Sequence, residues 1–343
     1  MTNKEIIFSF LLTGICLFAF SCSKSITDEP ESTPLQFDTN YAQWSLTRGV
    51  DYTGNAGLNP IPDMLVYGYY TGTKTWMEER TPAFPLFMSP TEVTNMGGSW
   101  VYNPIQYFYP TGYHTFFAFA PYQLLEADSR NDFYFPSYSE TPALKYHLPN
   151  DITSQRDLLI GWATDIVNGT NPVEIEFRHI TTKITFSARK ADGYSPNVRI
   201  NSIVLNNIYA EGVANINEVD GSLSVSWNNH NDLRTFSFTT ANNFLKNINL
   251  STTFQSLSDQ NLYMIPQGIR AGNTPTGTSI TISTIEVIGD VERQFTKTLN
   301  LGAMTWKPGE SLNFQIVYSG DGTEILLLVD PGTGDPSELT PIS

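Results

Sequence analysis

The sequence predicts an all-β protein, two antiparallel β-sandwich domains behind an export signal. Three observations carry that expectation. Beyond residue 34, helical periodicity is almost absent, and short apolar-aromatic runs are punctuated by Gly, Pro, Asn and Asp; such runs read as strands and the punctuation as turns. Several runs alternate with period two, so that Ile280, Ile282 and Thr284 share one face while Thr281, Ser283 and Ile285 share the other. The length, 343 residues, suits two domains of ordinary size. Six Trp, 17 Tyr and 21 Phe supply core material and argue against disorder for most of the chain. The formal charge of −15 argues against a nucleic-acid partner, because phosphate binding needs a basic patch.

The elements follow in order. Residues 6–20 form an uncharged apolar run too short to cross a bilayer as a helix, which fits the core of a secretory signal peptide over residues 1–21. Ala19-Phe20-Ser21-Cys22 then places small residues at −3 and −1 before a Cys, as in the lipobox of bacterial lipoproteins. Cys16 lies inside the signal, so cleavage leaves Cys22 as the lone thiol, and no disulfide can form within the mature chain. Acylation of Cys22 would anchor the protein to a membrane face. Residues 22–34, acidic and without an aromatic, read as a flexible tether.

Strands are expected at 64–70, 115–120, 157–161, 173–177, 183–188 and 200–205, then at 223–227, 235–239, 261–265, 279–285, 292–299 and 312–318. The cleanest half-buried pattern is Ser222 to Trp227, with Leu223, Val225 and Trp227 inward. Residues 122–155 read as a long polar excursion with a short helix near 124–128. A turn at Ala191-Asp192-Gly193 places the boundary near 185, giving domains 35–185 and 186–343.

Catalytic chemistry is thin. The four histidines, His114, His147, His179 and His230, make no HxH or HxxxH pair, and His179 reads as a hydrogen-bonded structural residue. No GxSxG, GxxxxGK[ST] or GxGxxG pattern occurs. The acidic stretches 320–324 and 330–335 lack the alternating ligand spacing of a calcium loop. No enzyme activity, metal or cofactor is expected; a β-scaffold glycosidase would need two carboxylates about 5–10 Å apart, and no pair stands out.

Six motifs stand in order after the lipobox. They are Thr47-Arg48-Gly49 after a first strand at Leu35-Gln36-Phe37, and Trp100-Val101-Tyr102-Asn103-Pro104 leading through Tyr109-Pro110 to an aromatic strand ending Ala120-Pro121. Asp157-Leu158-Leu159-Ile160-Gly161 follows, then Phe177-Arg178-His179 with Lys183-Ile184-Thr185-Phe186. Met264-Ile265-Pro266-Gln267 and Trp306-Lys307-Pro308-Gly309-Glu310-Ser311 complete the set. In this order the chain resembles the fimbrillin family, the type V pilins and pilin-like lipoproteins of Gram-negative anaerobes. It departs at Phe108, where a Trp often precedes the Tyr-Pro pair, and in its acidic, Pro-rich end after Asp330.

The resemblance implies two transthyretin-like β-sandwiches and a fimbrial structural or adhesive subunit at the outer membrane, cell surface or fimbrium. It implies an arginine-specific protease cutting between Arg48 and Gly49, removing the first strand (35–37, extending to 44). The opened groove would take a strand from another pilin subunit by donor-strand exchange. Arg48 is the only Arg before Arg80. Ile325, Leu326, Leu327, Leu328 and Val329, an apolar run between Glu324 and Asp330, read either as that donor strand or as a strand paired within its own domain. A host or bacterial surface ligand would be the target of an adhesive subunit. The alternative is a non-polymerising surface lipoprotein that binds glycan or protein, with 67–70 stacking on sugars.

Overall fold

The computed structural model describes residues 32–41, 61–78, 86–134, 141–149, 151, 154–270, 277–320, 323–330 and 337–341. In chain order these form β1 (Phe37–Tyr41), β2 (Asp63–Gly72), β3 (Leu86–Met96), β4 (Ser99–Val101), β5 (Tyr113–Ala120), the helix α1 (Tyr122–Glu126), β6 (Asp132–Tyr134) and β7 (Ala143–His147). Next come β8 (Leu159–Val167), β9 (Val173–His179), β10 (Thr182–Lys190), β11 (Asn197–Val219), β12 (Ser222–Thr239), β13 (Gln255–Ser256) and β14 (Leu262–Met264). The last are β15 (Gly268–Ile269), β16 (Ser279–Ile288), β17 (Val291–Asn300), β18 (Met304–Thr305), β19 (Ser311–Tyr318), β20 (Glu324–Asp330) and β21 (Ser337–Pro341). The all-β class read from the sequence is what the chain adopts.

The strands build three large sheets. One is seven-stranded, in the order β1-β9-β8-β5-β2-β3-β4. A second runs β17-β16-β11-β7-β6 with β12 on the other edge of β11, and a third runs β13-β10-β19-β20-β21 with β14 also on β10. Pairing is antiparallel except for β1 on β9 and β10 on β19, which are parallel. The 185/186 division falls inside β10. The seven-stranded sheet takes all its strands from residues before 180, whereas β6 and β7 join the sheet built on β11. By chain contacts, Ser32–Ser343 cluster as one unit.

Burial explains the strongest sequence signals. In β5, Phe117 and Phe119 face a large core shared with the other sheets, while Phe116, Ala118 and Ala120 face a second, smaller core. β2 divides likewise, with Leu65, Tyr67 and Tyr69 on one side and Met64 and Val66 on the other. Both strands are therefore apolar on successive positions rather than alternate ones, as expected when both faces of a sheet are covered. Trp306, at 1% exposure, and Phe314 anchor the large core.

Three readings are corrected. Residues 122–155 are not simply a polar excursion: α1 forms close to where a helix was expected, but β6 and β7 follow, with Ala143, Leu144, Tyr146 and Leu148 buried. The runs 223–227 and 235–239 belong to one 18-residue strand, β12. Likewise 200–205 is part of the 23-residue β11, which pairs β16 along 197–206 and β7 along 211–215 on one edge and β12 on the other. Leu223, Val225 and Trp227 are half-buried against the large core, as their alternation predicts.

Candidate functional site: the groove of the first strand

Residues 33–41 lie extended, the lead-in 33–36 between two backbone edges and 37–41 against one. On one side the Leu35 N–H donates to the Gln106 carbonyl (2.9 Å) and the Phe108 N–H donates to the Thr33 carbonyl (3.0 Å). On the other side β1 runs parallel to β9, in register from Phe37 opposite Val173 to Tyr41 opposite Phe177, and the Val173 N–H donates to the Gln36 carbonyl at 2.7 Å. β1 is thus an edge strand of the seven-stranded sheet, with the 102–108 loop closing over its lead-in.

Side chains complete the seat. The Tyr102 hydroxyl donates to the Leu35 carbonyl at 3.1 Å. Asn171 makes two bonds, its Nδ2 donating to the Pro34 carbonyl (2.9 Å) and its Oδ1 accepting from the Gln36 N–H (3.2 Å). Asn168 Oδ1 accepts from the Thr33 N–H at 3.2 Å. Burial raises the Tyr102 hydroxyl above the usual phenol range, so it stays protonated and able to donate.

The segment alternates as a strand over a core should. Leu35, Phe37 and Thr39 are 3%, 5% and 9% exposed, whereas Gln36 and Asn40 are open to solvent. The Phe37 ring sits 5.6 Å from Tyr102 and 5.5 Å from Phe116, edge-on to the latter. Phe108, Val173, Ile175 and Phe177 belong to the same small core. Gly161 is fixed by this packing: a Cβ there would stand 2.7 Å from Ile175 Cγ2 and 2.8 Å from Phe177 Cδ1.

At the far end of this core His114 is fully buried beside Phe87 and Phe108. Its Nε2 accepts from the Tyr109 N–H (3.1 Å), and its Nδ1 donates to the Ile166 carbonyl (3.3 Å). Those roles require the neutral ring. Burial holds the imidazole below its ordinary range, only partly opposed by the bond to Ile166.

The sites read from the sequence fall unevenly. Cys22, Arg48 and Gly49 lie outside the described residues, as do 42–44 of the first strand. Ile325 to Val329 lie on β20, antiparallel to β19 with Ile325 opposite Ile316 and Val329 opposite Leu312, and β21 pairs the other edge. His179 is structural in its surroundings, with Nδ1 2.7 Å from the fully buried Asp157 carboxylate. Tyr67 and Tyr69, expected as a sugar-stacking surface, are 1% and 4% exposed and line the large core instead. Asn168, Asn171 and Tyr102 carried no sequence signal as strand-holding residues, because the two Asn contacts span 135 positions. Among the described residues no group of three or more His, Cys, Asp or Glu is arranged to hold a metal ion.

The family model described as fimbrillin-like matches residues 63–329. The chain belongs to the fimbrillin-like family. Its fold is similar to that of a fimbrial protein from Bacteroides vulgatus, with a TM-score of 0.66 at 17% identity over 88% of this chain and 100% of the other. A protein proposed to act in cell adhesion, from Bacteroides ovatus, gives a TM-score of 0.51 at 14% identity, covering 91% of this chain and 99% of that one. A similarly described protein from Bacteroides uniformis gives 0.50 at 12% identity, covering 88% and 98%. No curated protein matches the sequence.

The fimbrillin-like motifs have structural work in this chain. The Trp306 N–H donates to the Gln267 carbonyl (2.9 Å), joining the Trp-Lys-Pro-Gly-Glu-Ser turn to the Met-Ile-Pro-Gln segment. Gln267 in turn holds β11 through both the N–H and the carbonyl of Tyr209. Gly309, at φ +71°, donates its N–H to the Thr181 carbonyl, tying the same turn to the start of β10. These contacts organise sheets; none creates a substrate pocket.

Proposed function

We propose that this fimbrillin-like protein is a fimbrial structural or adhesive subunit, exported as a lipoprotein acylated at Cys22 and cut after Arg48. Strand complementation then joins it to other pilin subunits. The observation that carries the reading is the seat of residues 33–41: a segment ahead of Arg48 in the chain, bonded on both sides at 33–36 and to β9 along 37–41, covering an apolar core. The family match and the fimbrial-protein fold support it.

Removing the segment uncovers the places of Leu35 and Phe37, worth roughly 3–6 kcal/mol together at 1.5–3 kcal/mol per buried side chain. It also leaves the edges at Gln106 to Phe108 and along β9 without partners. That loss is comparable with the about 5–15 kcal/mol net stability of a whole domain, so a cut subunit needs another strand. Ile325 to Val329 remain the candidate donor; to serve, they must leave β19 and β21. The division into domains 35–185 and 186–343 is part of the same proposal, supported by the origin of the seven-stranded sheet before residue 180. An outer-membrane or fimbrial location follows from the proposed anchor and assembly.

The test is cleavage of the purified protein by an arginine-specific protease, followed by sizing. Oligomer ladders are expected. A clean cut at Arg48 that leaves a monomer with an unchanged melting temperature overturns the reading. Ladders that form equally well after truncation at residue 322 would keep assembly but remove the C-terminal donor.

A further inference from the structure

We propose that the cavity bounded by β16, β17 and the end of β19 binds an alkylammonium group, the charged end of a free amine or of a lysine side chain, with the Glu286 carboxylate as its counter-ion. The inference stands apart from the first-strand groove and goes beyond the assembly reading. The cavity measures about 570 Å³, within the range of small-ligand sites.

Glu286 carries the inference. It is 4% exposed, yet it lines the cavity. Its Oε1 accepts from the Tyr318 hydroxyl at 2.7 Å and also from the Tyr194 hydroxyl. Oε2 accepts nothing from the described residues and is not shut away from solvent, so it opens on the cavity. Nor does Glu286 make an ion pair among the described residues. Arg293, opposite it in the β16–β17 register, is exposed and unpaired with it. Lys297, on the same cavity wall, donates from its Nζ to the Thr323 carbonyl at 3.1 Å. A carboxylate so deeply buried is ordinarily matched by a cation. Here the free oxygen offers that place to a cation from outside the described chain.

The surroundings choose the kind of cation. Tyr194 and Tyr318 meet edge to face at 5.5 Å, and Phe295, 43% exposed, lies on the wall with Ile282. Aromatic faces attract an ammonium ion, and these rings with Ile282 suit an aliphatic stem. A divalent metal would want several carboxylate ligands, and Glu286 is the only one described on this wall.

The site is also held in advance of any ligand. The Ala191 N–H donates to the Tyr318 carbonyl at 2.8 Å, joining the turn that carries Tyr194 to the end of β19. Thr323 closes the next turn, its hydroxyl donating to the Gly320 carbonyl at 2.7 Å. Burial raises the Tyr318 hydroxyl well above the usual phenol range, so it stays a donor to Oε1. Both hydroxyls are thus committed to one oxygen, and the other is left for a ligand without rearrangement.

The test uses the purified full chain at neutral pH and constant ionic strength, with n-butylammonium chloride as the probe and n-butanol as its uncharged counterpart. Binding is read from the ring signals of isotope-labelled tyrosine. Butylammonium should shift the Tyr194 and Tyr318 signals and bind at least about tenfold more tightly than butanol, the size of a hydrogen bond to a charged group. Glu286→Gln keeps an acceptor for the two tyrosines and should remove that preference. Phe295→Ala, at the exposed margin, should weaken butylammonium by about two- to fivefold and leave the melting temperature unchanged. Nα-acetyl-lysine methylamide separates the sources. Affinity equal to that of butylammonium assigns the site to a lysine side chain of a polypeptide, and affinity at least about tenfold weaker assigns it to a free amine.

Equal affinity for butylammonium and butanol in the wild-type chain, a comparison that needs no variant, overturns the proposal. So does a folded Glu286→Gln chain that keeps wild-type affinity, or reproduction of the butylammonium shifts by sodium chloride.

Discussion

Replacing Phe37 with Ala probes whether the first segment is a structural strand or a passive leader. The ring is 5% exposed and meets Tyr102 and Phe116 at 5.6 and 5.5 Å. Truncating a buried Phe to Ala costs about 3–5 kcal/mol, the spread depending on how far the site collapses. Because β1 is an edge strand that can relax, the lower end applies. About 3 kcal/mol corresponds to roughly two decades in the folded-to-unfolded ratio. Gln36→Ala is the matched control: its side chain is exposed while its backbone makes the bonds, so it should stay within about 0.5 kcal/mol of wild type. The assay is denaturant unfolding followed by tryptophan fluorescence, read together with hydrogen exchange at the Val173 amide. If the loss is local, that amide exchanges faster while the global midpoint moves less. A Phe37→Ala protein with wild-type midpoint and wild-type Val173 exchange would refute the reasoning.

Other outcomes follow from the same packing and, for Cys22, from the proposed lipid anchor. Gly161→Ala should destabilise by about 1–3 kcal/mol in a melt, since its methyl meets Ile175 and Phe177 with no free space. His114 makes stability pH-dependent: the unfolded ring takes up a proton near pH 6.5 while the folded ring, held lower by burial, resists. Its contribution is fully present above about pH 6.5 and is lost as pH falls through the folded value; melts between pH 7.5 and 5 should show that slope, reduced in His114→Gln. Cys22→Ala should move the protein from membranes to the soluble fraction and abolish acyl labelling; retention of both label and membrane association would exclude Cys22 as the anchor.

The sequence revealed strands best where burial is two-sided or cleanly alternating. β2 and β5 are continuous apolar runs because each separates two cores, and β16 alternates because one face is fully buried while the other is mostly half-buried. β3 was silent: its residues include Pro90 and many polar side chains, and most are exposed or half-buried. The true lengths of β11 and β12 were hidden by Asn and Asp residues read as turns. Asn207, Asn229 and Asp232 do take positive φ, near 59°, 51° and 59°, but they sit inside long paired strands, next to irregularities in the register. β7 was lost in a polar stretch because the core that buries Leu144, Tyr146 and Leu148 is assembled from distant elements, β11 more than 60 residues away among them.

The site was legible only in part. The alternation of Leu35 and Phe37 marked a strand, yet its parallel pairing with β9 depends on a distant partner that local pattern does not specify. Asn168 and Asn171 look like ordinary turn residues in Asn168-Gly169-Thr170-Asn171-Pro172, and their task appears only once the chain returns beside residues 33–36. The run Ile325 to Val329 was readable as a strand but not as free or paired, because nothing local to the run specifies that β19 of the same chain pairs with it.

The most direct measurement of the central claim is hydrogen exchange before and after cleavage at Arg48, with the severed piece washed away. The amides of Phe108 and Val173, which donate to Thr33 and Gln36 in the intact chain, report whether the groove has been emptied. The amides of Phe117 and Phe119 in β5 report whether the rest of the sheet survives. In cut protein that sizes as a monomer, a removable covering strand predicts exchange accelerated by orders of magnitude at Phe108 and Val173, and by more than at the amides of β5. Unchanged protection at those two amides in cut protein that sizes as a monomer would contradict it.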